Sequence, residues 1–239
     1  MKNVSYLIFL LGLWSCNEST CIKSLGDPVK ETRELAPFDA IDISDKINLI
    51  LHQDSTYKVR VETGENLVDF IQTEVQDNRL YIYDDNTCDF LRTYDHVINV
   101  HVYLPELKEI ECSNTGNIIA LDTIKTRIFK FDQWAASGEN EIWLICDSVY
   151  LKQHTGTGDL KVIGNSRYTY IYNAGYGYMH ADQFESINGS VRIENSGDVE
   201  LYVTNRVNAE MNGPGNLTLY GTPKTVNQSG EGSGKIDYQ

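Results

Sequence analysis

No run of apolar residues in this 239-residue chain is long enough to cross a bilayer as a helix, which takes about 20 residues. Basic side chains are few, 20 Lys and Arg against 34 Asp and Glu, for a net charge of −14. That balance disfavours nucleic acid and anionic lipid as partners, because both are held by positive charge on the protein. No two of the five cysteines stand in a CxxC pair, so nothing reads as a zinc site. His52, His96, His101, His154 and His180 form no HExxH pair, and no Gly-x-Ser-x-Gly nucleophile turn occurs. Metalloprotease and serine-hydrolase chemistry have no residues to stand on, and no cofactor or metal is implied.

What is present begins with an export signal. Lys2 precedes a short apolar stretch, residues 4–14, broken only by Ser5 and Gly12. It ends in Leu13-Trp14-Ser15-Cys16, similar to the lipobox at which bacterial lipoproteins are cut before a diacylated cysteine, although Trp14 is bulkier than the residue usual there. The expectation is a signal peptide over 1–15, lipidation of Cys16, and membrane attachment through that N-terminal anchor only, each buried methylene adding about 0.8 kcal/mol. Loss of the signal removes Lys2 and leaves 19 basic against 34 acidic side chains, a net −15. Such a protein is exported and held at the outer membrane, on its periplasmic or its cell-surface face. Residues 16–37 are polar, lack hydrophobic period and contain Gly26-Asp27-Pro28, so they read as a flexible tether. Cys21, Cys88, Cys112 and Cys146 remain, an even number in a compartment that permits disulfides, with all three connectivities open.

From residue 112 onward one phrase recurs: Thr115-Gly116-Asn117-Ile118, Thr157-Gly158-Asp159-Leu160, Ser196-Gly197-Asp198-Val199, Pro214-Gly215-Asn216-Leu217 and Ser233-Gly234-Lys235-Ile236, with weaker copies at Gly138 and Gly177. The seven marker glycines are separated by 22, 20, 19, 20, 18 and 19 residues, a period that signifies stacked repeats. Two and four residues after the glycine stand apolar pairs such as Leu160/Val162, Val199/Leu201 and Leu217/Leu219, which a strand puts on one face; Gly138 fits with two residues inserted, giving Ile142/Leu144. Nine and seven residues before it, Phe129/Phe131, Val149/Leu151 and Tyr168/Tyr170 define a second inward pair. Glycine permits φ > 0 at the corner, and Asn or Asp tolerates left-handed backbone there. The expected fold is all-β, a parallel β-helix or solenoid of about 19–20 residues per coil, right-handed as parallel crossovers are. Its domain is 38–239, regular over 112–239 and less regular over 38–111, where strands near 38–43, 47–51, 57–61, 80–83 and 97–104 surround one short helix formed by Leu67, Val68, Phe70, Ile71 and Val75.

Phe38-Asp39-Ala40-Ile41, the strand 47–52, Val59-Arg60-Val61-Glu62, Glu65-Asn66-Leu67 and Arg79-Leu80-Tyr81-Ile82, followed by the Gly-Asn and Gly-Asp phrases, resemble in their order the "putative auto-transporter adhesin, head GIN domain" family of Bacteroidetes-type lipoproteins. The resemblance covers 38–239 and implies a β-helical fold and a cell-envelope location. Lys46 stands where the family often has glycine. No catalytic residue is carried over.

The corner residues Asn117, Asp159, Asp198 and Asn216 present oxygens that could form a calcium ladder, but they lack the nine-residue Gly-Gly-x-Gly-x-Asp period of calcium β-rolls, and turn chemistry accounts for them. Tyr168, Tyr170, Tyr172, Tyr176 and Tyr178 form a tyrosine cluster. The phase of the repeat puts Tyr168 and Tyr170 inward, leaving Tyr176 and Tyr178, which flank a corner, as the candidate ligand-binding surface. Asp159 with Lys161, and Asp182 with Glu185, offer acid pairs for a carbohydrate-active enzyme, as chance alone does in a chain with 34 acids. Asp54-Ser55-Thr56, Asp122-Thr123-Ile124 and Asp147-Ser148-Val149 match short O-glycosylation sequons and equally well turns. The function expected is a non-enzymatic envelope lipoprotein, an adhesin or binding scaffold for a glycan or an extracellular or envelope protein. The alternatives are a structural or assembly component of the envelope and, further off, a β-helical carbohydrate-active enzyme.

Overall fold

A computed structural model of the protein describes residues 25–86 and 97–239. The signal, Cys16, Cys21 and Cys88 lie outside the described residues. The alternation of apolar and polar residues does produce strands throughout, wound into a β-solenoid of about six turns. Its regular part comprises β8 (Glu109–Cys112), β9 (Ile118–Ala120), β10 (Ile124–Lys125), β11 (Ile128–Gln133), β12 (Glu139–Ile145), β13 (Ser148–Gln153), β14 (Asp159–Asn173), β15 (Met179–Ile193), β16 (Val199–Met211), β17 (Leu217–Tyr220), β18 (Thr225–Ser229) and β19 (Ile236–Tyr238), with every pairing among them parallel.

Two walls enclose the core. On the first, Phe131, Leu151, Ile171, Val191 and Ala209 are successive register partners, all 1% exposed or less. On the second, Leu160, Met179, Val199 and Leu217 align in the same way, with Val162, Ala181, Leu201 and Leu219 buried beside them. Fully burying one such aliphatic side chain is worth about 1.5–3 kcal/mol, and the columns run through every coil. In the last coil the pair Ile236/Tyr238 is in register but half-buried and exposed, β19 pairing only with β17 among the described residues.

The first part mixes directions. β1 (Pro28–Glu34) and β4 (Lys58–Gly64) pair antiparallel, as do β4 and β7 (Asn99–Leu104) and β5 (Ile71–Gln76) and β6 (Arg79–Asp84). β2 (Ala40–Ile43) lies parallel between β6 and β8, and β3 (Asn48–Gln53) parallel between β7 and β9, which joins this part to the stack.

Four readings of the sequence are corrected. Residues 28–34 are not tether but β1, whose Val29 packs against the core while Arg33, on the same face, donates to Val68 O at 2.9 Å and Thr73 Oγ1 at 3.1 Å. The helix expected around 65–75 is one 3-10 turn, Val68–Phe70, followed at once by β5; Asp77 and Asn78, both at positive φ, make the tight turn that folds β5 back on β6. Tyr168 and Tyr170 point outward, and Thr169 and Ile171 occupy the interior opposite Val149 and Leu151. The wall keeps a 20-residue step there, and the shorter 19-residue step between Gly158 and Gly177 falls in the corner. Counting back from the glycine therefore slips one residue and reverses the faces. Gly138 needs no insertion, since Asn140 itself is the inward partner of Ile118 and Leu160, and its Oδ1 accepts the Ile118 N–H at 2.9 Å.

The marker glycines also serve a purpose other than positive φ, which none of the seven adopts. A Cβ on Gly138, Gly177, Gly197 or Gly234 would lie 1.9–2.3 Å from the carbonyl oxygen of the preceding marker glycine. The corner is where the coils approach too closely for any side chain. The residue after the glycine then ties coil to coil. The side-chain oxygens of Asn117, Asp159, Asp198 and Asn216 accept the backbone N–H of Glu139, Tyr178, Asn216 and Lys235 at 2.7–3.1 Å. Those bonds are the turn chemistry that accounts for an Asn or Asp at each of these corners.

Cys112 and Cys146 are buried, free and in different columns, so they do not pair with each other. Burial pushes both thiols up, Cys146 to about 12, which keeps them protonated and unreactive.

Candidate ligand-binding corner

Strand alternation makes the outward residues of the first wall a second set of columns. Trp134 and His154 leave the ends of β11 and β13 at equivalent positions, and their rings lie parallel with centroids 3.7 Å apart. His154 Nε2 is 3.0 Å from Asp132 Oδ1, which also accepts Lys152 Nζ at 3.1 Å. Tyr172, on the next rung, meets His154 edge-on at 5.7 Å, and Arg192 lies over the Tyr172 ring at 5.9 Å. Trp134 remains 45% exposed, and Ala135, at a φ of +52°, turns the chain sharply just after it.

Beyond the turn the second wall begins. Tyr176 and Tyr178, singled out by the sequence, are 60% and 47% exposed. Tyr176 sits in the corner, its N–H donating to Gly156 O, and Tyr178 stacks on His180 at 6.0 Å. His180 Nδ1 is 2.6 Å from Glu200 Oε2. Beside them a depression of about 290 Å³ is lined by Ile119, Glu141, Lys161 and His180 among others, with Lys161 and Glu141 paired at 3.3 Å. Trp134, His154, Tyr172, Tyr176, Tyr178 and His180 thus wrap one corner of the coil from wall to wall. The pair Asp159 and Lys161 does not assemble into acid chemistry, because Asp159 Oδ1 accepts the Tyr178 N–H and Lys161 faces Glu141.

Trp134 and His154 were missed in the sequence because tyrosines were grouped by nearness along the chain. Both stand four residues before a marker glycine, and aligning the coils on those glycines brings them together.

A second polar cluster lies on the outer face of β3 and β7. His52 Nε2 and His101 Nδ1 are 3.1 Å apart, so they share one proton. His52 Nδ1 faces Asp122 at 3.8 Å, His101 Nε2 faces Glu62 at 3.5 Å, and the Tyr103 ring stacks on His52 at 4.3 Å. Burial first, with Arg60 adding to it, holds both imidazoles below the ordinary value, against the pull of Asp122 on one and Glu62 on the other. Depressed histidines make the unfolded chain the stronger proton binder. Their contribution is therefore complete above a pH of about 6.5 and is lost as pH falls below it. Urea midpoints are expected to drop from pH 7 to pH 5, and the drop should shrink in His52→Gln plus His101→Gln; an unchanged slope would refute the assignment.

The fold and this surface define the class: a parallel β-solenoid that presents an aromatic, ion-paired corner on a rigid stack. By sequence the chain belongs to the "putative auto-transporter adhesin, head GIN domain" family, whose model matches residues 37–223. Among solved structures it is similar to a putative adhesin from Bacteroides fragilis, with a TM-score of 0.79, 20% identity, and coverage of 89% of this chain and 97% of that one. It is similar also to a putative lipid binding protein from Parabacteroides distasonis (TM-score 0.70, 21% identity, 90% and 97% covered) and to a putative adhesin from Parabacteroides merdae (0.63, 20%, 91% and 98%). At those identities the likeness establishes the fold. No curated protein matches the sequence.

Proposed function

We propose that the protein is a non-enzymatic envelope adhesin, anchored by a lipid on Cys16, whose aromatic corner binds glycan chains. The observation that carries the reading is the exposed Trp134 ring, held flat on His154 and continued around the corner by Tyr172, Tyr176 and Tyr178. Aromatic faces offer large contact area at low entropic cost, and the flanking Asp132, Lys152 and Glu200 supply hydrogen bonds that hydroxyl groups can join. Membership of an adhesin-type family supports an exported or surface protein. A glycan suits the corner better than a protein partner, because the rings alternate with ion pairs and do not merge into a contiguous apolar patch.

The test is a glycan and host-matrix array probed with the whole chain, with Trp134→Ala and with Tyr176→Ala plus Tyr178→Ala. Saturable binding to a glycan, weakened at least tenfold in either variant, is expected; tenfold corresponds to about 1.4 kcal/mol. Binding that neither variant weakens removes the corner from the site, and binding to nothing on the array moves the protein to a structural role in the envelope.

A further inference from the structure

A different corner of the coil, over residues 125–127, 145–147, 165–167 and 185–187, carries a groove that the aromatic reading does not use. Its volume is about 590 Å³, within the span of roughly 300–1,000 Å³ typical of small-molecule sites. The depression arises from the buried residues at this corner, Cys146, Ser166 and Ser186 on consecutive rungs, which are small. Ser166 and Ser186 are tied into a buried hydroxyl cluster with Thr169, at 2.8 and 2.6 Å from it, so the floor is fixed.

The rim is made of exposed side chains repeated every 20 residues. Lys125, Ile145, Asn165 and Glu185 form one row, and Arg127, Asp147, Arg167 and Ile187 the other. Three cations and two carboxylates leave the groove at +1 in a chain of −14. Arg167 reaches Asp147 at 3.4 Å, whereas Lys125 and Arg127 have no ion-pair partner among the described residues. Two such cations, two residues apart on the rim of one groove, are placed to meet an anion from outside.

We propose that this groove binds an acidic sugar, a carboxylate carried on a polyhydroxyl ring as in a uronate. Lys125 and Arg127 take the carboxylate, and the guanidinium can do so through two parallel N–H donors. Asp147, Glu185 and Asn165 accept or donate to ring hydroxyls, and the exposed Ile145 and Ile187 lie against the apolar edges of the rings. The single positive excess matches one carboxylate, that of the ring seated in the groove, the other rings of an oligomer lying beyond it. A dianionic phosphate would meet Asp147 and Glu185 unfavourably, and an anionic membrane would be repelled by the chain as a whole. The site goes beyond the aromatic corner and stands without it, since the two lie on different corners of the coil.

The experiment is titration calorimetry of the whole chain with a trigalacturonate, with a neutral galactose trisaccharide, with inorganic phosphate and with phosphatidylglycerol vesicles. The expected result is saturable binding of the trigalacturonate, at least tenfold tighter than that of the neutral trisaccharide. Lys125→Glu plus Arg127→Glu should weaken it tenfold or more, while Lys224→Glu plus Lys235→Glu, the same charge change elsewhere, should leave it within about threefold. All four positions are exposed, and thermal melts of both double variants establish that they fold. Equal losses in the two double variants, equal affinity for the neutral sugar, or binding of phosphate or vesicles in place of the uronate would each overturn the proposal.

Discussion

Gly138→Ala is expected to destabilise the protein by about 3 kcal/mol or more, lowering the melting temperature by about 6–12 °C, without any loss of a side-chain contact. The added methyl would stand 1.9 Å from Gly116 O and 2.7 Å from its carbonyl carbon, and neither is a flexible side chain that can swing away. Relief requires the coils to separate at the corner. That movement strains the bond from Glu139 N–H to Asn117 Oδ1 at 2.9 Å and the alignment of Asn140 with Ile118. Gly158→Ala is the comparison that isolates the cause. Its Cβ would lie 2.8 Å from Gly138 O and 3.0 Å from the Gln133 amide nitrogen, a milder overlap, so its melting temperature should fall by less than half as much. Equal losses at the two positions would mean that a cost independent of the Cβ overlap, and not coil separation, is being read, since neither glycine adopts positive φ.

This glycine ladder shows where the sequence was legible and where it was not. Spacing revealed the period, and the residues two and four places beyond each glycine except Gly234 do line the interior, because no insertion intervenes between corner and strand. Five strands of the first part were visible from alternation, read near 38–43, 47–51, 57–61, 80–83 and 97–104 and found at Ala40–Ile43, Asn48–Gln53, Lys58–Gly64, Arg79–Asp84 and Asn99–Leu104, whereas β5 was read as part of a helix. The opposite wall was misread by one residue at Tyr168 and Tyr170, since a coil of 19 and a coil of 20 differ only in which corner absorbs the change, and side-chain parity is lost across it. β1 was hidden because an edge strand covered on one side needs little apolar character: Val29 is its one hydrophobic side chain packed on the core, and Arg33 fastens it by hydrogen bonds to Val68 O and Thr73 Oγ1. The aromatic corner was half visible. Tyr176 and Tyr178 are neighbours along the chain, while Trp134, His154 and Tyr172 become neighbours only through the stacking of coils. The rows of the cationic groove are of the same kind, repeating at 20 residues with a different residue type at each step.

Asn114 is the second position where a large effect is expected. It is fully buried, and its Nδ2 donates to Ile47 O at 3.1 Å and Gly116 O at 2.8 Å, across the junction of the irregular part and the regular stack. The same junction brings Gly116 against the Ile47 carbonyl, where a Cβ would lie at 2.2 Å, so no water-filled space is at hand to replace the lost donor. Asn114→Ala strands two carbonyls and should cost about 2–4 kcal/mol, seen as a lower denaturant midpoint with an unchanged slope. Asn114→Asp keeps the shape but turns an oxygen toward those carbonyls. Its carboxyl in the folded chain is held above the unfolded value of about 3.9, so the unfolded chain releases its proton first and stability falls as pH rises. At pH 3 the protonated acid can donate to one carbonyl and should approach the alanine variant; at pH 7 it should be the least stable of the three proteins. A variant whose stability does not change between those pH values would place residue 114 in contact with solvent and would break the argument that this amide fastens the two parts of the solenoid together.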